Sequence, residues 1–140
     1  MAKSEKEIAA AIRSFQPIDD EWLPLDALLQ DLMAQKVTAD GIDALFSVFE
    51  RFPTEDGYGV FWTILHALEG VPAYESHLAR SVHRLPCEFN LTMVNRMLNS
   101  GIKEVGAVSL RVLLEGVLRN EKASAEARAQ AVEILDEIPG

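Results

Sequence analysis

Apolar side chains recur at helical spacing along almost the whole chain, and no segment shows a sustained period of two flanked by hairpin turn signals. The pattern predicts an all-α protein of about eight short helices. Ile8, Ala11, Ile12 and Phe15 share one face of a first helix over residues 4–15, which Ser4 and Glu7 open as a capping box and Pro17 ends. Leu25, Leu28, Leu29, Leu32 and Met33 mark a second, and Ile42, Leu45, Phe46 and Phe49 a third, capped by Thr38 or Asp40 and stopped by Pro53. "QPIDDEWLP" and "PTEDGYG" are connectors by composition. A fourth helix is expected over 58–69, closed by Gly70 and Pro72, and a fifth over 73–83. Beyond Pro86 a sixth runs to Gly101, a seventh covers 105–118, and an eighth starts at Ser124 and buries Ala127, Ala131, Ile134 and Leu135.

The helices fall into short pairs. A shift of 30 places Phe61, Ile64 and Leu68 on Leu91, Val94 and Leu98, and a shift of 32 places Leu78 and Val82 on Leu110 and Leu114. Such copies of a helical hairpin predict a small α-solenoid in a single domain, 1–140, with a compact helical bundle as the rival.

Length and charge narrow the function. A chain of 140 residues buries enough apolar surface to fold without staples, and with one cysteine, Cys87, it has no intrachain disulfide. "MAKSEKEIAAAIRSF" lacks the apolar core of a signal peptide, and the longest apolar run, residues 60–68, is too short to span a membrane, so a cytoplasmic address is expected. The formal charge of −9 is unevenly placed: residues 1–75 hold 14 acidic and 5 basic side chains, whereas residues 76–140 hold 8 of each. A field of this sign repels nucleic acid and anionic membranes and attracts a basic protein. It also serves solubility alone.

No linear catalytic signature is present: GxSxG, HExxH, a phosphate-cradling glycine loop and CxxC are all missing. His77, His83 and Cys87 have spacings that do not place all three on one helical face, and Pro86 interrupts them, so surface histidines and a structural thiol are the simpler reading. His66, four residues after Trp62 on the most apolar helix, fits a core histidine better than a catalytic one, and the pair stays open between core and contact. What remains is an acidic and aromatic set at helix junctions: Asp19, Asp20, Glu21 and Trp22; Glu55, Asp56 and Tyr58; Tyr74 and Glu75. Rings beside carboxylates combine burial with charge complementarity, as an interface to a basic protein requires. For Trp22, stapling a helix end to the core is an equal alternative.

Residues 61–101, "FWTILHALEGVPAYESHLARSVHRLPCEFNLTMVNRMLNSG", resemble the small HEAT-like helical immunity proteins of bacterial polymorphic toxin systems, through "ILHALE", "YESHL", "RLPCEF" and "NRMLNSG". The resemblance implies a cytoplasmic antidote that binds a cognate toxin domain, often a nuclease, and blocks it without catalysis. It implies no cofactor and carries over no contact residue. A helical scaffold or adaptor is the alternative expectation.

Overall fold

The structure, a computed structural model, describes residues 3–139. It is all-α, with eight helices among the described residues. The chain divides into two compact units, the first ending at Tyr74 and the second beginning at Glu75. The hairpin expected from the fourth and fifth helices straddles that division.

The first unit contains α1 (Glu5–Ser14), α2 (Leu23–Met33), α3 (Ala39–Arg51), a 3-10 turn (Gly57–Gly59) and α4 (Val60–Glu69). Its helices begin where the capping chemistry places them. The Ser4 hydroxyl accepts from Glu7 N at 3.2 Å while the Glu7 carboxylate accepts from Ser4 N at 3.1 Å. Pro24 sits in the first turn of α2 instead of in the connector, since a proline there forfeits only an amide that has no partner anyway.

Helix α1 packs on α2 and α3, and both of these pack on α4. Two charged side chains fasten α1 to α3 end to end. The Glu5 carboxylate accepts from Thr38 N and Thr38 Oγ1, each at 2.5 Å, and from Gly41 N at 3.3 Å, so α3 is capped by a side chain from α1 and not by its own Thr38. At the other end, where α1 stops, Arg51 donates to the carbonyl of Ile12, at 3.2 Å, which also accepts from Phe15 N, and to that of Phe15, at 2.5 Å. Gly41 is required by this arrangement, because a Cβ there would lie 2.7 Å from Glu5 Oε2 and 2.9 Å from Val37 Cγ1. Phe61, Ile64, Leu65 and Leu68 are fully buried, as the periodicity of α4 predicts.

The second unit contains most of α5 (Tyr74–Arg84), with α6 (Glu88–Asn99), a two-stranded hairpin of β1 (Glu104–Val105) and β2 (Val108–Ser109), α7 (Leu110–Arg119) and α8 (Ala125–Glu137). Helix α8 packs on both α7 and α6. Asn90, fully buried, ties this unit's first two helices: its amide donates to Ser81 Oγ and to the Leu85 carbonyl, both at 3.0 Å, and its oxygen accepts from Cys87 N at 2.9 Å.

The expectation of helix from residue 105 is corrected by the hairpin. Gly106 adopts φ 59°, which allows the chain to reverse over "VGAV", and Glu104 pairs with Ser109. Ser109 then caps α7 by accepting from Val112 N at 3.4 Å, which fixes the helix start at Leu110.

Candidate functional site: an acidic tip on the first unit

Two connectors, residues 15–22 and 52–59, meet on the first unit. Beneath them lies an aromatic cluster in which the Trp22 ring packs 5.8 Å from Phe15, 5.1 Å from Phe52 and 5.5 Å from Phe61, the last two edge to face. Trp22 is only 3% exposed. Of the two readings open for Trp22, a partner-facing ring or a staple of a helix end to the core, its packing fits the second, and the ring is the anchor on which the tip is built. Gly57 lies directly against it: with φ 59°, a Cβ at this position would meet Phe61 at 3.0 Å and Trp22 at 3.2 Å.

Above the cluster the first connector turns tightly. Glu21 N donates to the Ile18 carbonyl at 3.0 Å, and the two residues between them, Asp19 and Asp20, are both left-handed, at φ 52° and 60°. Aspartate tolerates that conformation better than most residues, and two in succession is the geometry of a two-residue hairpin turn. Asp20 then joins the two connectors. One carboxylate oxygen accepts from Trp22 Nε1 at 3.2 Å and the other from the Tyr58 hydroxyl. Tyr58 is itself left-handed, at φ 52°, and is held by Asp56, whose carboxylate accepts from Tyr58 N at 3.0 Å. A tyrosine in this conformation carries backbone strain of roughly 1–3 kcal/mol, which the surrounding bonds must offset. The hydrogen bond to Asp20, and after it the negative charge of Asp20, push the Tyr58 phenol above its ordinary pKa, with smaller contributions from burial and from the charges of Glu55 and Asp56.

The tip therefore gathers Asp19, Asp20, Glu21, Glu55, Asp56 and Tyr58, six of the residues picked out in the sequence, with no lysine or arginine in residues 16–23 or 53–60. Tyr74 and Glu75 are half-buried and open α5 at the division between the units; neither takes part in the hydrogen bonds that build the tip. Two residues that the sequence reading passed over belong to it. Ile18 is 75% exposed and Leu23 is 69% exposed, and with Tyr58 at 77% they are the most exposed large apolar side chains among the described residues. Their signal was a position: each flanks a turn residue or a first-turn proline, outside the apolar period of a neighbouring helix. Trp62 and His66 lie on the outer face of α4, both exposed, with ring centroids 6.4 Å apart and His66 Nδ1 3.8 Å from Glu69 Oε1.

Elsewhere the histidines do not converge. His77 is buried and its Nδ1 accepts from the Arg80 guanidinium at 3.0 Å, whereas His83 is exposed. No group of three or more potential metal ligands occurs among the described residues, and no helix among them is long and apolar enough to cross a membrane. A cavity of about 580 Å³ on the second unit is lined by residues that include Lys103, Glu104, Arg111 and Glu137, with no histidine or cysteine on its walls.

Comparison with known protein families, with curated proteins and with solved structures finds no significant match to this chain.

Proposed function

We propose that this chain is a non-catalytic binding protein of the immunity type, which neutralises a cognate bacterial toxin domain by engaging it with the acidic tip of the first unit. The supporting observation is the composition of that tip: five carboxylates surround Tyr58, Ile18 and Leu23, whose apolar surface stands in solvent. Exposed aromatic and aliphatic anchors ringed by charge of one sign are what a desolvating contact with a basic surface needs. A nuclease-type toxin is basic where it holds phosphate, and a row of carboxylates substitutes for the nucleic acid backbone at that surface. The likeness of residues 61–101 to helical immunity proteins supports the same reading, including action in the cytoplasm.

The test is co-expression with the C-terminal domain of a large secreted protein encoded beside this chain. Protection is expected, and the triple variant Asp19→Asn, Glu21→Lys, Glu55→Lys should lose it while remaining folded, since asparagine keeps the left-handed turn and Asp20 is left in place to hold the connectors. Association should slow as salt rises, because the attraction is screened beyond about 10 Å at 0.1 M ionic strength. Cell death regardless of this chain would defeat the proposal. A complex whose association is indifferent to salt and to the triple variant favours a helical adaptor that binds through apolar surface.

A further inference from the structure

We propose that the cavity of the second unit binds a zwitterion with an apolar body, a short aliphatic peptide with both of its ends free. Its volume of about 580 Å³ falls within the roughly 300–1,000 Å³ of small-molecule sites. The end of α8 lines it with Ile134 and Ile138, and α6 adds Leu98. Asn95 and Asn99 share a face of α6 with Leu98, at i, i+3 and i+4, and bring two amides to the same wall. Each amide offers both the donor and the acceptor that a peptide link requires. The hairpin and the first turn of α7 complete the lining.

Four charges border this one cavity, and they cancel: Lys103 and Arg111 against Glu104 and Glu137. No ion pair closes among them, and the side chains of Lys103, Asn95 and Asn99 make no hydrogen bond among the described residues. The Arg111 guanidinium donates to the Pro139 carbonyl at 3.3 Å, which uses one of its five N–H groups. The backbone beneath these groups is fixed in advance. Ile102 N donates to the Met97 carbonyl at 3.0 Å, Leu110 N donates to the Lys103 carbonyl at 2.9 Å, and Glu104 pairs with Ser109. A ligand with charge of one sign would meet two like charges here, whereas one that carries both signs finds a partner for each.

The placement of two of these charges is the second observation. Glu137 stands in the last turn of α8, which holds no basic residue, and Arg111 stands in the first turn of α7, which holds no acidic one. Each is set against its helix dipole, since carboxylates are favoured at the start of a helix and cations at its end. Helix stability gives no reason for either. A carboxylate bound beside Arg111 at the positive end of α7, and an ammonium bound beside Glu137 at the negative end of α8, supply one for both. The site rests on neither the tip nor the neutralisation reading.

Calorimetric titration of the full chain with the dipeptide Leu-Leu tests it. A Kd below about 1 mM is expected, with N-acetyl-Leu-Leu, Leu-Leu amide and Gly-Gly each at least about tenfold weaker. Glu137→Gln should bind Leu-Leu and its N-acetyl form alike, and Arg111→Gln should bind Leu-Leu and its amide alike. The melting temperature of Glu137→Gln should not fall, because that variant removes a charge the helix end disfavours. Free leucine bound as tightly as Leu-Leu supports the zwitterion and makes its source an amino acid. A Kd for Leu-Leu above about 1 mM, capped forms that bind as tightly as the free one, or a Kd unmoved by both substitutions overturns the proposal.

Discussion

Asp20→Gly isolates the bond on which the tip depends. Glycine adopts φ 60° without penalty, so the substitution removes the carboxylate and leaves the left-handed turn unstrained. Two hydrogen bonds are lost, and they are unequal. Trp22 Nε1 belongs to a side chain only 3% exposed, and without Asp20 it loses its acceptor at 3.2 Å, which costs roughly 1–3 kcal/mol. The Tyr58 hydroxyl stands in water, which replaces the lost partner, so that bond contributes little. The sum is a destabilisation of about 2 kcal/mol. Urea unfolding followed by tryptophan fluorescence reads it, with Tyr58→Phe as the control that deletes only the solvent-side bond. The native emission of Asp20→Gly should also shift, because the indole that loses its acceptor is the anchor of the cluster. If Asp20→Gly is no less stable than Tyr58→Phe, then the Trp22 bond contributes nothing and the account of how the connectors are held together fails.

Other consequences follow from the same geometry. The Tyr58 phenol, raised by its bond to Asp20, should ionise later than an ordinary tyrosine; the stability this bond contributes is present below pH about 10 and is lost as pH rises through the folded-state value. Phenolate absorbance during an alkaline titration checks this, and Asp20→Asn should bring the transition down toward the usual range. Two glycines should respond oppositely to alanine: Gly41→Ala, whose Cβ meets Glu5 and Val37, destabilises by roughly 1–3 kcal/mol, whereas Gly116→Ala, with open space around it, raises the melting temperature through a helix gain of up to about 1 kcal/mol. Asn90→Ala removes from Cys87 N, Ser81 Oγ and the Leu85 carbonyl the three hydrogen bonds that Asn90 supplies in a largely buried site and should cost about 2–4 kcal/mol, measurable by chemical denaturation.

The helices were legible because their causes are local. Apolar positions at i, i+3 and i+4 define a face whatever that face later meets, and so the buried side of α4, the Ser4 box and the cap at Ser124 all follow from neighbours within one turn. The hairpin at 104–109 escaped because its strands are two residues each, too short to show any period, and only Gly106 marks the reversal. The acidic connectors, too, could be picked out as composition. What lay beyond the sequence was their meeting: Asp20 and Tyr58 are 38 residues apart, and they bond because α2, α3 and α4 pack so that Phe15, Phe52 and Phe61 enclose Trp22 below them. The same tertiary packing turned Trp22 inward as an anchor and left Ile18, Leu23 and Tyr58 outside. It also made Glu5 the cap of a helix that begins 34 residues later. Local periodicity determines which residues are helical and which way a helix faces. Which loops come together, and which of their rings remain in water, depends on contacts between segments far apart in the chain.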